Sequence, residues 1–212
     1  MALNQTDTNT SLISDHQTPA ELLPIFYANN NLGMDGGQNS SVVKMDIMKS
    51  VHFYIPNFDA RRKAVLWHDI HHLVTGYSAA NFLGECEISA WEIASGCRNY
   101  WAAFLINTSG VALGCLINPR KIIQAYARGR RTRNFYKDLY PVEKVMHTSV
   151  SELRSWLLLD INPKETIANF GAIMSLLGFL LFALMYSLLM IFSLPILLLY
   201  NLWVLIWMRS KK

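Results

Sequence analysis

His68, Asp69, His71 and His72 fall within five consecutive positions, and Glu85 follows in the run Gly84-Glu85-Cys86-Glu87. Three of the chain's six histidines sit in that short stretch. Two histidines four residues apart lie on one face of a helix, one turn from each other. A carboxylate from the next helix can then close a site of three or four ligands. Core packing does not account for such a concentration, so we read it as a metal centre. Imidazole with carboxylate suits a divalent ion, zinc first, with iron, manganese or cobalt also compatible. His68 and His72 are the expected ligands. Asp69 is a further ligand or a partner that holds an imidazole ring. His71 is turned ~100° from His72 and is expected to pack elsewhere. Glu92 and Glu87 compete with Glu85 for the carboxylate position. Glu85, Ser89, Glu92 and Asn99 recur on one helix face, whereas Glu87 points away from it.

Such a site needs two helices side by side. Asp59 is expected to cap the first, which runs from Ala60 to about Val74 and is stopped by Thr75-Gly76-Tyr77. A loop over Ser78–Phe82 leads to a long helix from about Leu83 to Ile106. Elsewhere Pro19–Asn29 reads as a short helix capped by Thr18, and Asp35–Ser41 as loop. Val42–Tyr54 is ambiguous and is read as helix ending near Phe53. Asn118-Pro119 supplies a cap and a first-turn proline for a helix reaching about Arg133. Ser149-Val150-Ser151-Glu152 has capping-box spacing and opens a helix through Leu159. Asn162-Pro163 repeats the cap-plus-proline device. No alternating strand pattern stands out, so the expected fold is all-α.

Residues 1–17 are polar, without the apolar stretch of a signal peptide, and are expected to be a disordered arm. Residues 18–165 form the helical metal-binding domain, and 166–212 a membrane segment. Gly171–Met208 contains no charged residue. Its 38 residues would reach about 57 Å as one helix, long for a ~30 Å hydrocarbon core. Ser193-Leu194-Pro195 suggests a transmembrane helical hairpin with spans of about 171–191 and 195–208. Arg154 and Lys164 precede the segment and Arg209, Lys211 and Lys212 follow it, which places both termini on the cytoplasmic side. The net charge of +4 gathers in Arg128–Arg133 and the C-terminal tail, where lipid headgroups explain it better than nucleic acid. Arg128, Arg130 and Arg131 are candidate contacts for an anion, whether lipid phosphate or substrate carboxylate. Three cysteines without CxxC spacing argue against a disulfide framework and a cysteine zinc site.

HxxHH also occurs in membrane di-iron desaturases, but those need about eight histidines in three boxes. A His-Asp phosphohydrolase needs a further upstream histidine, for which His52 is the candidate, and a later aspartate. The chain resembles the coenzyme Q biosynthesis protein 4 family more closely. His68, Asp69 and His72 match its HDxxH motif, and Gly84-Glu85 its Gly-Glu, with twelve residues over Leu73–Gly84 where the family has eleven. Thr75-Gly76-Tyr77, Ala125-Tyr126-Ala127-Arg128-Gly129-Arg130 and Val150-Ser151-Glu152-Leu153-Arg154 resemble later segments in the same order, so the resemblance covers about 42–161. It implies an all-helical domain at the membrane face, with His68, Asp69, His72 and Glu85 as the metal site. It implies a prenylated quinone precursor as substrate, oxidative decarboxylation of a prenylated 4-hydroxybenzoate ring, and other quinone-biosynthesis enzymes as partners at a bacterial inner membrane. The alternative is a non-catalytic scaffold that holds the prenyl lipid. Zinc has no redox chemistry, so O2 consumption at the metal would require iron or manganese.

Overall fold

Thr18, Pro19 and Glu21 start the first helix. The Glu21 carboxylate accepts from the Thr18 N–H at 2.8 Å and its hydroxyl at 3.1 Å, and Pro19 takes the first turn, where no N–H is needed. This helix, α1, is Pro19–Asn29. The computed structural model describes residues 15–30, 32–33, 35–37, 39–48, 51–97, 100–137, 139–159 and 168–210. Most of the expected polar arm and the Asn162-Pro163 device lie outside them. The arm's last residues, 15–17, dock on a later helix. The Val150 and Ser151 N–H groups donate to the Gln17 and Asp15 carbonyls, both at 2.9 Å, and Arg154 pairs with Asp15. Those N–H groups belong to the start of a later helix, where backbone donors lack internal partners.

Val42–Tyr54 is not helical. It forms an antiparallel hairpin, β1 (Val42–Met48) with β2 (Val51–Pro56), paired from Val42↔Pro56 to Met48↔Val51 with an irregularity after Asp46. The β-branched and aromatic residues Val42, Val43, Val51, Phe53, Tyr54 and Ile55 favour pleated backbone, and that preference wins over a weak helical pattern. Asn57 ties the hairpin to the bundle. Its amide donates to the Gly37 and Ser40 carbonyls at 2.9 and 2.7 Å, and its oxygen accepts from Arg61 at 2.9 Å.

Everything else described is helical or connecting, so the all-α architecture stands with one two-stranded ribbon attached. The site-bearing helix α2 is Asp59–Thr75. Phe58 is its cap, and Asp59 lies in the first turn beside Arg62 rather than capping. Gly76, at φ +78°, closes α2 by donating to the His72 carbonyl at 3.0 Å. The long helix expected from Leu83 to Ile106 is two: α3 (Phe82–Ser95) and α4 (Trp101–Ile117). Gly96, at φ +106°, breaks it and caps α3 through the Glu92 carbonyl at 2.8 Å. Asn99, expected on the Glu85 face, lies outside the described residues.

Helix α5 (Pro119–Gly129) begins as expected, with Asn118 accepting from the Lys121 N–H at 3.3 Å. It stops four residues short of Arg133, because Thr132 turns in to accept from the Trp91 indole at 2.8 Å. A 3-10 turn at Phe135–Lys137 and the short α6 (Val142–Met146) lead to α7 (Val150–Trp156). Ser149 caps α7, which ends before Leu159. Helix α3 packs between α4 and α5, while α2 packs on α1, α4 and α7. Ile70, Leu73, Ile88, Trp91, Ile122 and Leu153 fill the core between them.

The last element, α8, is Phe170–Ser210. It contains two adjoining stretches long and apolar enough to cross a bilayer, Phe170–Leu189 and Ile191–Met208. The expected turn at Ser193-Leu194-Pro195 is absent, since helical backbone continues through Pro195. Proline removes one ladder hydrogen bond without forcing a reversal, and no Gly, Asn or Asp stands beside it to build one. One face of α8 near its start meets α4 and α5: Tyr126 and Ser175 hydroxyls are 3.1 Å apart, and Phe104 packs on Phe179 and Phe182.

Candidate metal centre

His68 and His72, one turn apart on α2, face the first turn of α3. Gly84 permits that approach. A Cβ there would lie 2.0 Å from the Ser78 carbonyl oxygen, so only glycine lets α3 start against the loop leaving α2. Asn81 caps α3 by accepting from the Gly84 N–H at 2.8 Å, and Glu85 is delivered in the next position.

Three ligand atoms converge. His68 Nε2 and His72 Nε2 are 3.2 Å apart, and the Glu85 carboxylate reaches them at 3.2 and 3.3 Å. Ligand atoms on a tetrahedral zinc stand about 3.3–3.4 Å apart, given bonds of about 2.0–2.1 Å. His68, His72 and Glu85 thus form a group able to hold a metal ion. The opposite ring nitrogens are already engaged. His72 Nδ1 donates to the Tyr77 carbonyl at 2.9 Å. His68 Nδ1 donates to Glu92, at 3.1 and 3.2 Å from its two oxygens. Both imidazoles therefore turn a lone pair toward Glu85, and three acceptors facing one another require a cation between them. Without a metal that cation is a proton. Burial alone would lower the His68 pKa, but Glu92 and Glu85 outweigh it and hold it well above the usual imidazole value. Burial would likewise raise both carboxylates, yet their histidines keep Glu85 and Glu92 well below the ordinary range.

The site is walled on one side and open on the other. The His72 side chain is 2% exposed, His68 23% and Glu85 40%. Access is therefore from the Glu85 side. Phe26 of α1 closes the far side, its ring centroid 5.7 Å from that of His72.

Glu92 is fully buried behind His68 and does not join the ligand group. It accepts from His71 Nδ1 at 2.7 Å, Asn107 at 2.5 Å and the Tyr136 hydroxyl at 3.3 Å, besides His68. His71 packs inward as expected. Its Nε2 accepts the Phe135 N–H at 3.0 Å, its ring stacks on Phe135, and burial keeps it below the usual imidazole value. Ser89, on the Glu85 face, donates to Asn107 at 3.3 Å. Glu87 points away toward Lys121, at 3.6 Å.

Asp69 does not converge with the other three. It lies by Tyr27 of α1, whose hydroxyl pKa is raised by burial and by this carboxylate, and its Oδ2 is buried with no partner among the described residues. Burial raises its pKa to about 6, against the pull of His68 and His72. Arg128 is also placed otherwise than an anion contact would be. It is buried, donates to the Thr75 carbonyl at 2.9 Å, and lies over the Tyr77 ring at 5.4 Å. It thus braces the turn whose Tyr77 carbonyl aims His72. Arg130 donates to the Gly171 carbonyl at 3.0 Å and joins α5 to α8, while Arg131 is exposed.

The sequence pattern picks out His68, His72 and Glu85. It misses Asn107 and Tyr136, each a lone residue on a distant segment with no motif to mark it. The Glu85–Glu92 spacing does place Glu92 on the site face, but whether it binds metal or backs a histidine depends on the packing of α2 against α3. The chain matches no family model, no curated protein and no solved structure.

Proposed function

We propose that this chain is a metal-dependent enzyme that acts on a prenylated aromatic acid at a membrane surface, removing the ring carboxyl by oxidative decarboxylation. The observation that carries the metal reading is the convergence of His68, His72 and Glu85 as three acceptors, with both histidines anchored through their other nitrogens. Structural zinc sites are closed and rich in cysteine, whereas three ligands including a carboxylate leave a position open. The half-exposed Glu85 side gives a substrate ring a way in.

A divalent ion held by these residues, zinc first among the candidates, would supply Lewis acidity toward the ring's carboxylate or phenolate oxygens. The residues themselves fix the geometry: Tyr77 and Glu92 hold the two imidazoles, and Gly84 sets the reach of Glu85. With zinc, the electron-rich ring itself must react with O2. Exchanging the ring carboxyl for hydroxyl then consumes O2 with two electrons and two protons from an external two-electron donor, and yields CO2 and water. The substrate class rests on the resemblance of the His68–His72 and Gly84-Glu85 motifs to the coenzyme Q biosynthesis protein 4 family. It is supported by two apolar stretches of α8, since a prenyl-tailed ring partitions into lipid. A bacterial inner membrane with both termini cytoplasmic is the setting that fits the basic flanks.

The test uses the full chain in detergent and in a strain lacking endogenous quinone decarboxylation. Wild type should carry about one divalent ion per chain by elemental analysis and restore quinone synthesis. His68→Ala and Glu85→Ala should lose both. Quinone synthesis that survives loss of metal would replace the enzyme by a lipid-holding scaffold.

A further inference from the structure

We infer that Glu92 is the positioning residue of the metal centre. This inference rests on the metal reading above. Glu92 is fully buried, and four side chains among the described residues donate to it. His71, His68, Asn107 and Tyr136 aim four donors at its two oxygens, from α2, α4 and the 3-10 turn. A carboxylate in that position can only accept. It therefore fixes the proton of His68 on Nδ1 and leaves the Nε2 lone pair facing His72 and Glu85. His71 reinforces the arrangement. Its Nε2 is committed to the Phe135 N–H, so its own proton must sit on Nδ1 and must point at Glu92. One buried carboxylate thus sets the tautomers of two histidines, only one of which faces the site.

Charge gives the same answer. Two neutral imidazoles with Glu85 and Glu92 present two negative charges, which a divalent ion balances within one bond and one hydrogen-bonded histidine. Outer partners of this kind typically raise metal affinity 10- to 100-fold by orienting the ligand and increasing its basicity.

Glu92→Gln keeps shape and replaces one of the two acceptor oxygens by an NH2 donor, the remaining oxygen being held by His71 Nδ1–H. The amide would donate to His68 Nδ1, moving the His68 proton to Nε2 and closing the lone pair to metal. Three measurements on the full chain in detergent test this: zinc affinity by competition with a chromophoric chelator, the absorption spectrum of the cobalt-substituted protein, and imidazole 15N shifts of the metal-free protein at high pH. Glu92→Gln is expected to bind zinc at least tenfold more weakly and to show the His68 proton on Nε2. Glu92→Asp, which keeps the charge but shortens the reach, should recover part of the affinity and an altered cobalt spectrum. Asn107→Ala serves if the Gln variant misfolds, since it removes one support of Glu92 without touching a ligand, and it should weaken zinc severalfold. Zinc affinity and cobalt spectrum of Glu92→Gln equal to wild type would overturn the inference while leaving the metal reading intact. Absence of metal binding by wild type would remove the metal reading itself.

Discussion

Asp69 shows how neighbouring residues on one helix take different roles. It adjoins His68 in sequence, yet one step round α2 turns it from the α3 side to Tyr27 of α1. A buried carboxylate with one oxygen unpartnered among the described residues costs stability once ionised. Its folded pKa of about 6 lies above the ordinary 3.8, so the folded state holds the proton more tightly than the unfolded chain. Stability therefore falls as pH rises from about 4 to about 6, and the full penalty persists above that. Asp69→Asn removes the charge and keeps the shape. In metal-free protein it should be more stable than wild type at pH 7.5, by about 1–3 kcal/mol, and the advantage should shrink toward pH 4. Thermal melts across that range measure it. The same variant separates ligand from bystander: zinc affinity should change less than about tenfold, whereas a lost ligand costs far more. A variant that melts below wild type at pH 7.5 without metal would contradict this account.

At the scale of elements, the site depends on how closely α3 can start beside the end of α2. Gly76 ends α2 in a left-handed turn, and Gly84 lets the next helix begin in contact with the Ser78 backbone. Gly84→Ala must displace backbone, because the clash is with a carbonyl rather than a flexible side chain. It should cost about 1–3 kcal/mol and weaken metal binding by moving Glu85. Gly178→Ala, in open space on α8, is the matched control and should change neither. The starts at Thr18, Asn118 and Ser149 were legible because these residues act locally, through hydrogen bonds within one turn. The cap at Asn81, by contrast, falls within the expected loop, and Phe58 carries no cap signal. The break at Gly96 and the short end of α5 were not legible either. They depend on Glu92 and Trp91 meeting residues about forty positions away, a constraint invisible to local periodicity. The hairpin was missed for the opposite reason. Strand preference over Val42–Pro56 was readable residue by residue, but no alternation of apolar and polar residues announced it.

For the whole molecule, the question is where α8 goes. Its exposed side carries Leu181, Met185, Leu189, Phe192, Ile196 and Leu199, a surface that water does not tolerate and lipid does. Its start is held to α5 by Arg130 and Tyr126. Near its far end, Asn201 reaches back to the hairpin, where its oxygen accepts from the Tyr54 N–H at 2.6 Å and its amide donates to the Tyr54 carbonyl at 3.2 Å. A side-chain amide thus fills the place of a neighbouring strand at that point of the free edge of β2. From Asn201 to Ser210 only nine residues of helix remain, about 14 Å, roughly half of a ~30 Å hydrocarbon core. While Asn201 holds Tyr54, the end of α8 at Ser210 cannot stand across the membrane from the domain. Tags at the two termini of the full chain in sealed vesicles should therefore be cut by protease from the same face. Asn201→Leu should expose the Tyr54 amide to faster hydrogen exchange, because its partner is gone. Tags cut from opposite faces would mean that the pairing breaks in lipid and that α8 crosses once, carrying its basic end away from the metal centre.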